Sequence, residues 1–266
     1  MPLQFLQSVA AEFGATLKAT SADRMEVELC VPRPSGATET FSLIVVDSEG
    51  GPRVFEAEPR RFPAACLERH INHDGSFCLG WSDGSDQQIV NEQNAREFWS
   101  SVEKFLNSQL AASNTRRWPG QQNARAHGAA ADSQDHAEKI CQQLSADMLH
   151  DLKRGKLTVD VDRTWHKERF VLLRHGHPIA RTKKNKKSPL WVADVCPCGT
   201  SSSPATKCSN HAELLAALSK DIFQWHLAHD AYVRSAVCSG HRCCGTMERC
   251  ELRDAQKARL RGNKRS

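Results

Sequence analysis

One cysteine of the chain lies in a short polar stretch whose residues could support chemistry at its sulfur. The stretch RHINHDGSFCLGW, residues 69–81, places Asn72 six residues before Cys78, with His70 close by. A thiolate is a strong nucleophile, and a side-chain amide can stabilise the oxyanion that forms when an acyl group is attacked. Gly75 permits a tight turn that would fold Asn72 back toward the sulfur. The alternative is a small buried cysteine after a turn, which is a common role of free cysteine.

A second group of chemically capable residues crowds the end of the chain. The segment CPCGTSSSPATKCSNH supplies three thiols and an imidazole that can surround one tetrahedral Zn²⁺, from Cys196, Cys198, Cys208 and His211. The segment CSGHRCCGTMERC offers ligands for a second ion, from Cys238, Cys243, Cys244 and Cys250. The number of ions and the ligands of the second stay open, and reduced thiols without metal are the alternative. Closed four-ligand zinc sites stabilise a fold rather than perform chemistry.

Composition and charge limit the class of protein. The chain has 266 residues, of which 39% are apolar and 25% charged, enough for one large domain or two smaller ones. A net charge of +5 is too mild to indicate nucleic-acid binding by itself. The N-terminus lacks a secretory signal, and the strongest apolar run, residues 41–46, is too short to span a membrane. We therefore expect a cytoplasmic protein without a membrane partner, whose cysteines are free, catalytic or metal-bound.

The periodicity of apolar residues predicts an α+β protein with short antiparallel strands and amphipathic helices. The predicted helices cover residues 3–13, 92–110 and 133–154 and a segment from about residue 210, and the predicted strands cover residues 25–31, 41–47, 53–58, 157–162 and 169–174. Short connections between the first three strands favour an antiparallel meander. The predicted organisation is a domain over residues 1–155, a cysteine-rich module over 156–250 and a mobile basic tail over 251–266.

The stretch around Cys78 resembles the active-site strip of ubiquitin-conjugating enzymes, which reads His-Pro-Asn, a short loop and Gly-x-(Ile/Val)-Cys-Leu. His70 and Asn72 match its first part, and the second part is matched by Gly75, Phe77, Cys78 and Leu79. Ile71 stands where the family has Pro, and the loop is shorter by roughly two residues than in most eukaryotic members. The order of elements over residues 1–155 also matches. The chain is most similar to divergent bacterial members from ubiquitin-like conjugation operons, some of which carry a cysteine-rich extension.

The resemblance implies an antiparallel sheet flanked by helices and a carrier role for Cys78. The thiol would accept the C-terminal carboxyl of a ubiquitin-like protein from an activating enzyme as a thioester, and an amine of a protein acceptor would then attack it. Asn72 would steady the oxyanion or order the loop, and His70 would bond to backbone or move a proton. Weaker candidates for lowering the pKa of the incoming amine are Asp74, Asp83 and Asp86. The operon resemblance suggests antiviral defence, and structural zinc would hold a module that recruits a partner.

Three other functions stay open at this point. The same fold could bind a ubiquitin-like protein without catalysis. A zinc-dependent nucleic-acid-binding protein would use the basic loop at residues 181–187 and show salt-dependent affinity, although the mild charge makes nucleic acid the less favoured partner. A cysteine hydrolase would need a separate His–Asp pair, which the sequence does not assign. The Gly-x-Phe-Cys-Leu match favours the conjugating enzyme, because a pure binding protein has no need of the thiol.

Overall fold

The structure, a computed structural model, describes residues 2–33, 36–79, 88–120, 126–164, 167–198, 208 and 211–263. It divides the chain into two compact units, the first made of Met1–Gln121 with Val233–Ser266 and the second of Gln122–Tyr232. Each unit contains a four-stranded antiparallel sheet and helices, so the predicted α+β class is confirmed. Within the described ranges, no helix combines the length and apolar character that crossing a bilayer requires.

The sheet of the first unit is a meander whose strands lie in sequence order. Its strands are β1 (Ala15–Thr20), β2 (Arg24–Pro32), β3 (Thr38–Val46) and β4 (Arg53–Glu56). Alternate residues of β2 and β3 are buried, as expected for strands with one face against a core. The sequence analysis predicts β2, β3 and β4 but misses β1, a strand in which only Ala15 is buried.

Two helices cover the buried face of this sheet. Helix α1 (Pro2–Val9) continues as a 3-10 turn and ends at Gly14, whose φ of +71° suits glycine. Helix α2 (Glu92–Thr115) begins after Asn91, whose side chain accepts a hydrogen bond from the Asn94 amide. The buried indole of Trp99 donates to the Leu6 carbonyl at 3.0 Å and so joins the two helices inside the core.

The second unit is built from two helices, a sheet and most of a long helix. Its elements are α3 (Ala129–Leu144), α4 (Ala146–Lys153), β5 (Leu157–Thr164), β6 (Lys167–Arg174), β7 (His177–Lys183), β8 (Trp191–Val192) and α5 (His211–Cys238). Strand β7 includes the first residues of the predicted basic loop at 181–187. Buried aliphatic residues of α4, β6 and α5 pack with Cys141 in one core, so this cysteine is the core residue that its place on an apolar stripe indicates.

The single helix predicted over residues 133–154 is wrong, because Ser145 breaks it into α3 and α4. Ser145 has extended backbone and accepts a hydrogen bond from the Met148 amide at 3.2 Å, which caps the start of α4. Both helices belong to the second unit, whereas the predicted boundary at 155/156 assigns them to the first domain. The structural boundary lies at residues 121/122 instead.

Most of the predicted basic tail forms a helix that belongs to the first unit. Helix α6 (Glu251–Asn263) covers residues 251–263 of the tail predicted as mobile over 251–266, and the boundary at 250/251 is not a structural one. Cys250 and Leu252 are buried, at 1% and 3% exposure, and the Glu251 amide donates to the Glu68 carboxylate at 2.5 Å. Burial of these side chains fixes a segment whose polar composition alone suggests a solvated tail.

Candidate active site and metal centre

Residues 66–78, here called the Cys78 strip, form an irregular segment that begins with its own closed turn. Cys66 and Ile71 exchange two backbone hydrogen bonds, of 3.0 and 2.9 Å, around a 3-10 turn at Leu67–Arg69. His70 ends that turn with a φ of +53°, a left-handed conformation that is uncommon for a residue with a side chain. The turn therefore fixes the direction in which the His70 ring leaves the backbone.

Two further backbone bonds place Cys78 beside His70. The Phe77 amide donates to the Val54 carbonyl of β4 at 2.8 Å, and the Cys78 amide donates to the His70 carbonyl at 2.8 Å. A ring nitrogen of His70 lies within 4.8 Å of the Cys78 sulfur. The His70 side chain is buried and packs on Trp118, with 4.9 Å between the ring centroids. The structure thus brings together a half-buried thiol and an imidazole whose position is fixed.

Asn72 begins a tight turn that leads to Cys78. Its amide donates to the Ser76 carbonyl at 2.8 Å, and the Gly75 amide donates back to the Asn72 carbonyl at 2.9 Å. The Asn72 side-chain amide donates to Ser76 Oγ at 3.0 Å. Asp74 accepts from the Ser76 amide and hydroxyl, and Arg53 of β4 pairs with Asp74 and with Ser76 Oγ. Ser76 and Arg53 therefore orient the predicted site residue, although no sequence motif singles them out.

The surroundings change the protonation of two groups in the strip. Burial raises the pKa of the Cys78 thiol, so the thiol form dominates at neutral pH. Burial alone would also raise the pKa of Asp74. The hydrogen bonds from Ser76 and the charge of Arg53 outweigh this effect and hold the pKa of Asp74 below its ordinary value. Asp74 is consequently ionised in the range where Cys78 is neutral. Asp83 and Asp86 lie outside the described residues.

A buried arginine ties the strip to helix α2. Arg69 is 2% exposed, and its guanidinium donates to the Gln109 side-chain oxygen at 2.7 Å, the Gln109 carbonyl at 2.9 Å and the Ser113 hydroxyl at 2.7 Å. The Gln109 side-chain amide donates in return to the Arg69 carbonyl at 2.6 Å. A buried charge is tolerated only when it is paired and hydrogen-bonded, so this network fixes Arg69 and, with it, the adjacent His70.

Residues 241–252, here called the C-terminal segment, lie against the same strip within the first unit. The His241 ring stacks on His73 at 4.0 Å between centroids, and Thr246 Oγ1 lies 3.5 Å from the Arg69 guanidinium. The Glu248 amide donates to the Arg116 carbonyl at 2.9 Å. The sequence does not indicate this association, because the two segments are far apart in the chain and no local pattern connects them.

The four cysteines predicted for a second metal site differ in their burial and in the groups that their sulfurs contact. Cys238 is exposed at the end of α5, and Cys250 is buried with its sulfur hydrogen-bonded to Cys243. Cys243 also accepts the Gly245 amide at 3.4 Å. Cys244 instead faces Cys66 of the Cys78 strip, with 3.1 Å between the sulfurs. Within the described residues, these four do not gather their sulfurs within 4.8 Å as one ligand set.

The first predicted ligand set does converge, in the second unit. The ligand atoms of Cys196, Cys198, Cys208 and His211 all lie within 4.8 Å of one another. The Cys198 and Cys208 sulfurs are 3.8 Å apart, and the Cys196 sulfur is 3.3 Å from His211 Nδ1. Ligands placed about 2.3 Å from a central ion at the corners of a tetrahedron are about 3.8 Å apart. The donor set and its spacing therefore fit a four-coordinate metal ion.

Two cysteines of this cluster are part of the hydrophobic core of the second unit. Cys196 and Cys198 are buried in the same core as Leu172 and Leu215, and α5 begins at His211. Arg174 donates to the Pro197 carbonyl at 3.4 Å and is itself paired with Asp151 at 2.6 Å, which supports the turn between the two cysteines. Ligand orientation by such surrounding hydrogen bonds is typical of protein metal sites.

Comparison with known protein families agrees with both parts of this description. A family model for a "Prokaryotic E2 domain" matches residues 13–120, and a model for a "Cysteine-rich domain, C-terminal to E2 domain" matches residues 126–252. The chain therefore contains a prokaryotic E2 domain followed by a cysteine-rich C-terminal domain. No curated protein and no solved structure matches it. The recognised resemblance to bacterial ubiquitin-conjugating enzymes is confirmed, and the family implies a conjugation-type role with a ubiquitin-like protein and its activating enzyme.

The Arg69 network leads to a stability prediction. Arg69→Lys should destabilise the first unit by about 2 kcal/mol, because an ammonium group cannot reproduce the fork that binds Gln109 and Ser113. Urea unfolding measures the change. Arg24→Lys is the matched control, since Arg24 is half-exposed and pairs with Glu26 at the surface, and it should change stability by less than about 0.5 kcal/mol. Equal effects of the two substitutions would contradict an anchoring role for Arg69.

Proposed function

We propose that this protein is a conjugating enzyme that carries a ubiquitin-like protein as a thioester on Cys78. The observation that carries the proposal is the position of this thiol. It is half-buried, its backbone is bonded to His70, and a His70 ring nitrogen lies within 4.8 Å of its sulfur. The strip also falls inside the matched E2 domain.

The proposed reaction has two acyl transfers. In the first, the Cys78 sulfur attacks the thioester carbonyl that joins the ubiquitin-like protein to its activating enzyme, and the activating enzyme's thiolate leaves. In the second, an amine of a protein acceptor attacks the new thioester, the Cys78 thiolate leaves, and the amine proton is released. The products are an amide bond and a free Cys78 thiol, so atoms and charges balance in each step.

The raised pKa of Cys78 suits a carrier. A thiolate with a high pKa is a poorer leaving group, which protects the thioester from premature attack by water. The same pKa means that the thiol must lose a proton when it attacks. The proposed acceptor is His70, because one of its ring nitrogens lies within 4.8 Å of the sulfur. We favour this proton-transfer role for His70 together with its backbone bond to Cys78, rather than a purely structural one.

Asn72 is proposed to act through the turn that it begins. Its side-chain amide is oriented by Ser76, whose hydroxyl is held in turn by Asp74 and Arg53. An amide fixed in this way can stabilise the oxyanion of the tetrahedral intermediate or keep the turn in the shape that admits the acceptor. Both roles increase the rate at which the thioester is discharged to the acceptor.

The cysteine-rich domain is proposed to bind structural Zn²⁺ through Cys196, Cys198, Cys208 and His211 and to recruit the protein acceptor. When bound, the ion would stabilise the second unit, because four-ligand sites contribute folding energy. Neither nucleic acid nor a membrane is required by this proposal. The resemblance to members of bacterial conjugation operons makes antiviral defence in the cytoplasm the proposed setting.

A charging assay tests the proposed thioester. The protein is mixed with a ubiquitin-like protein, its activating enzyme and ATP, and the products are separated on gels with and without reductant. Wild type should give a band that reductant removes, and Cys78→Ala should give none. Cys78→Ser should give a band that resists reductant, because an oxyester replaces the thioester. Cys30→Ser, at an exposed position on β2, is the control and should charge normally. Failure to charge with a demonstrably active activating enzyme would favour a non-catalytic binding protein.

Discharge of the charged protein tests the role of Asn72. Asn72→Ala should charge normally but lose its thioester to a free amine about 10²-fold more slowly, since one oxyanion donor is removed. Loss of the band is followed over time at several amine concentrations. Asn94→Ala is the control, because Asn94 lies in the first turn of α2, outside residues 66–78. Equal discharge rates for the two variants would remove Asn72 from the mechanism.

Metal analysis tests the proposed zinc site. Purified protein should contain one zinc ion per chain at this site, and Cys198→Ser should reduce the zinc content by one ion and lower the thermal stability of the second unit. Elemental mass spectrometry and thermal unfolding provide the two measurements. Cys30→Ser should change neither. Unchanged zinc content in Cys198→Ser would mean that the cluster consists of reduced thiols alone.

A further inference from the structure

We propose that Cys66 and Cys244 are a redox-active pair that hydrogen peroxide converts to a disulfide, which then fixes the C-terminal segment to the Cys78 strip. The pair lies outside the proposed thioester chemistry and outside the zinc site, so the proposal does not rest on either. It assigns a modification site to two thiols that belong to different parts of the sequence and that the fold brings together.

The geometry of the two sulfurs carries the proposal. They are 3.1 Å apart, and the residues are separated by 178 positions in the chain. A disulfide bond is about 2.05 Å long, so a movement of about 1 Å closes it. Within the described residues, no group of three or more metal-ligating atoms within 4.8 Å of one another includes these sulfurs, so the pair lacks the further ligands that a metal site needs.

The two cysteines of the pair differ in their exposure to solvent. Cys66 is buried with Ala112 and Met247, whereas Cys244 is only half-buried. The Cys244 sulfur lies 3.0 Å from the Thr246 hydroxyl, whose segment is held by the bond from the Glu248 amide to the Arg116 carbonyl. A small oxidant can therefore reach Cys244, while the docked segment keeps Cys66 next to it.

The proposed oxidation needs only one equivalent of hydrogen peroxide. The Cys244 sulfur, as thiolate, attacks a peroxide oxygen, the O–O bond breaks, and hydroxide leaves and takes up a proton to become water. Cys244 is then a sulfenic acid. The Cys66 sulfur attacks the Cys244 sulfur, a second water leaves, and the disulfide forms. The two thiols are oxidised by two electrons and peroxide is reduced to two waters.

The consequence for the protein follows from the backbone around Cys66. Cys66 exchanges two backbone hydrogen bonds with Ile71, in the turn that places His70. A covalent link at Cys66 would prevent the C-terminal segment, including the His241 ring stacked on His73, from leaving the strip. In the reduced protein the C-terminal segment can move away from the Cys78 strip, whereas in the oxidised protein the disulfide holds the two together. The state of the disulfide would therefore control access to this side of the Cys78 strip.

Peptide mapping after mild oxidation tests the pairing. The full-length protein is treated with one equivalent of hydrogen peroxide, free thiols are blocked, and the digest is analysed without reductant. The expected product joins the peptides that contain Cys66 and Cys244, is lighter than their sum by two hydrogens and disappears on reduction. Cys244→Ser, at the half-buried position, should abolish it, and Cys30→Ser should not. Two outcomes would overturn the proposal. In the first, the thiol-blocking reagent modifies both Cys66 and Cys244 completely after oxidation, so no disulfide has formed. In the second, either residue is linked to a different cysteine.

Two further measurements separate a redox pair from other roles. Hydrogen exchange of residues 241–252 should slow at least tenfold on oxidation of wild type and stay unchanged in Cys244→Ser. The same rate in oxidised and reduced wild type would overturn the proposed fixing of the segment. Zinc content should be the same in wild type and Cys244→Ser. The loss of one zinc ion in that variant would show that the thiols are metal ligands and would likewise overturn the proposal.

Discussion

The guanidinium of Arg69 is buried in the first unit, so neighbouring residues must supply hydrogen-bond acceptors for it. Gln109 and Ser113 of α2 accept its hydrogen bonds, and Gln109 donates back to the Arg69 carbonyl. Removing any of these partners would leave a charge or a polar group unpaired in the protein interior. These hydrogen bonds therefore fix the position of the turn at Leu67–Arg69 relative to helix α2.

The geometry around Cys78 depends on this anchor in a short sequence of contacts. The turn that Arg69 fixes ends at His70, and the His70 carbonyl accepts the amide of Cys78. On the other side of the strip, Phe77 is bonded to β4 through Val54. A thiol held between a helix and a sheet keeps its position, and the proposed role of Cys78 as a carrier of acyl groups requires such a fixed position.

The predicted metal ligands of the cysteine-rich domain are part of a hydrophobic core. The second unit places Cys196 and Cys198 within that core, where a bound ion would add to the stability that packing provides. The family match assigns residues up to 252 to this domain, yet the chain beyond Tyr232 belongs structurally to the first unit. One sequence domain therefore contributes to two structural units.

The sequence by itself determined the features that short windows encode. Apolar alternation predicted β2 and β4, and an apolar run predicted β3. The spacing in CPCGTSSSPATKCSNH identified a cluster that does converge, and the strip around Cys78 identified the family. Only the tertiary structure decided which segments meet across long separations. The pairing of Arg69 with Gln109 and the approach of Cys244 to Cys66 join residues that are 40 and 178 positions apart. Such contacts arise from packing and from the need to satisfy buried polar groups, which depend on the whole fold and leave no local pattern in the sequence.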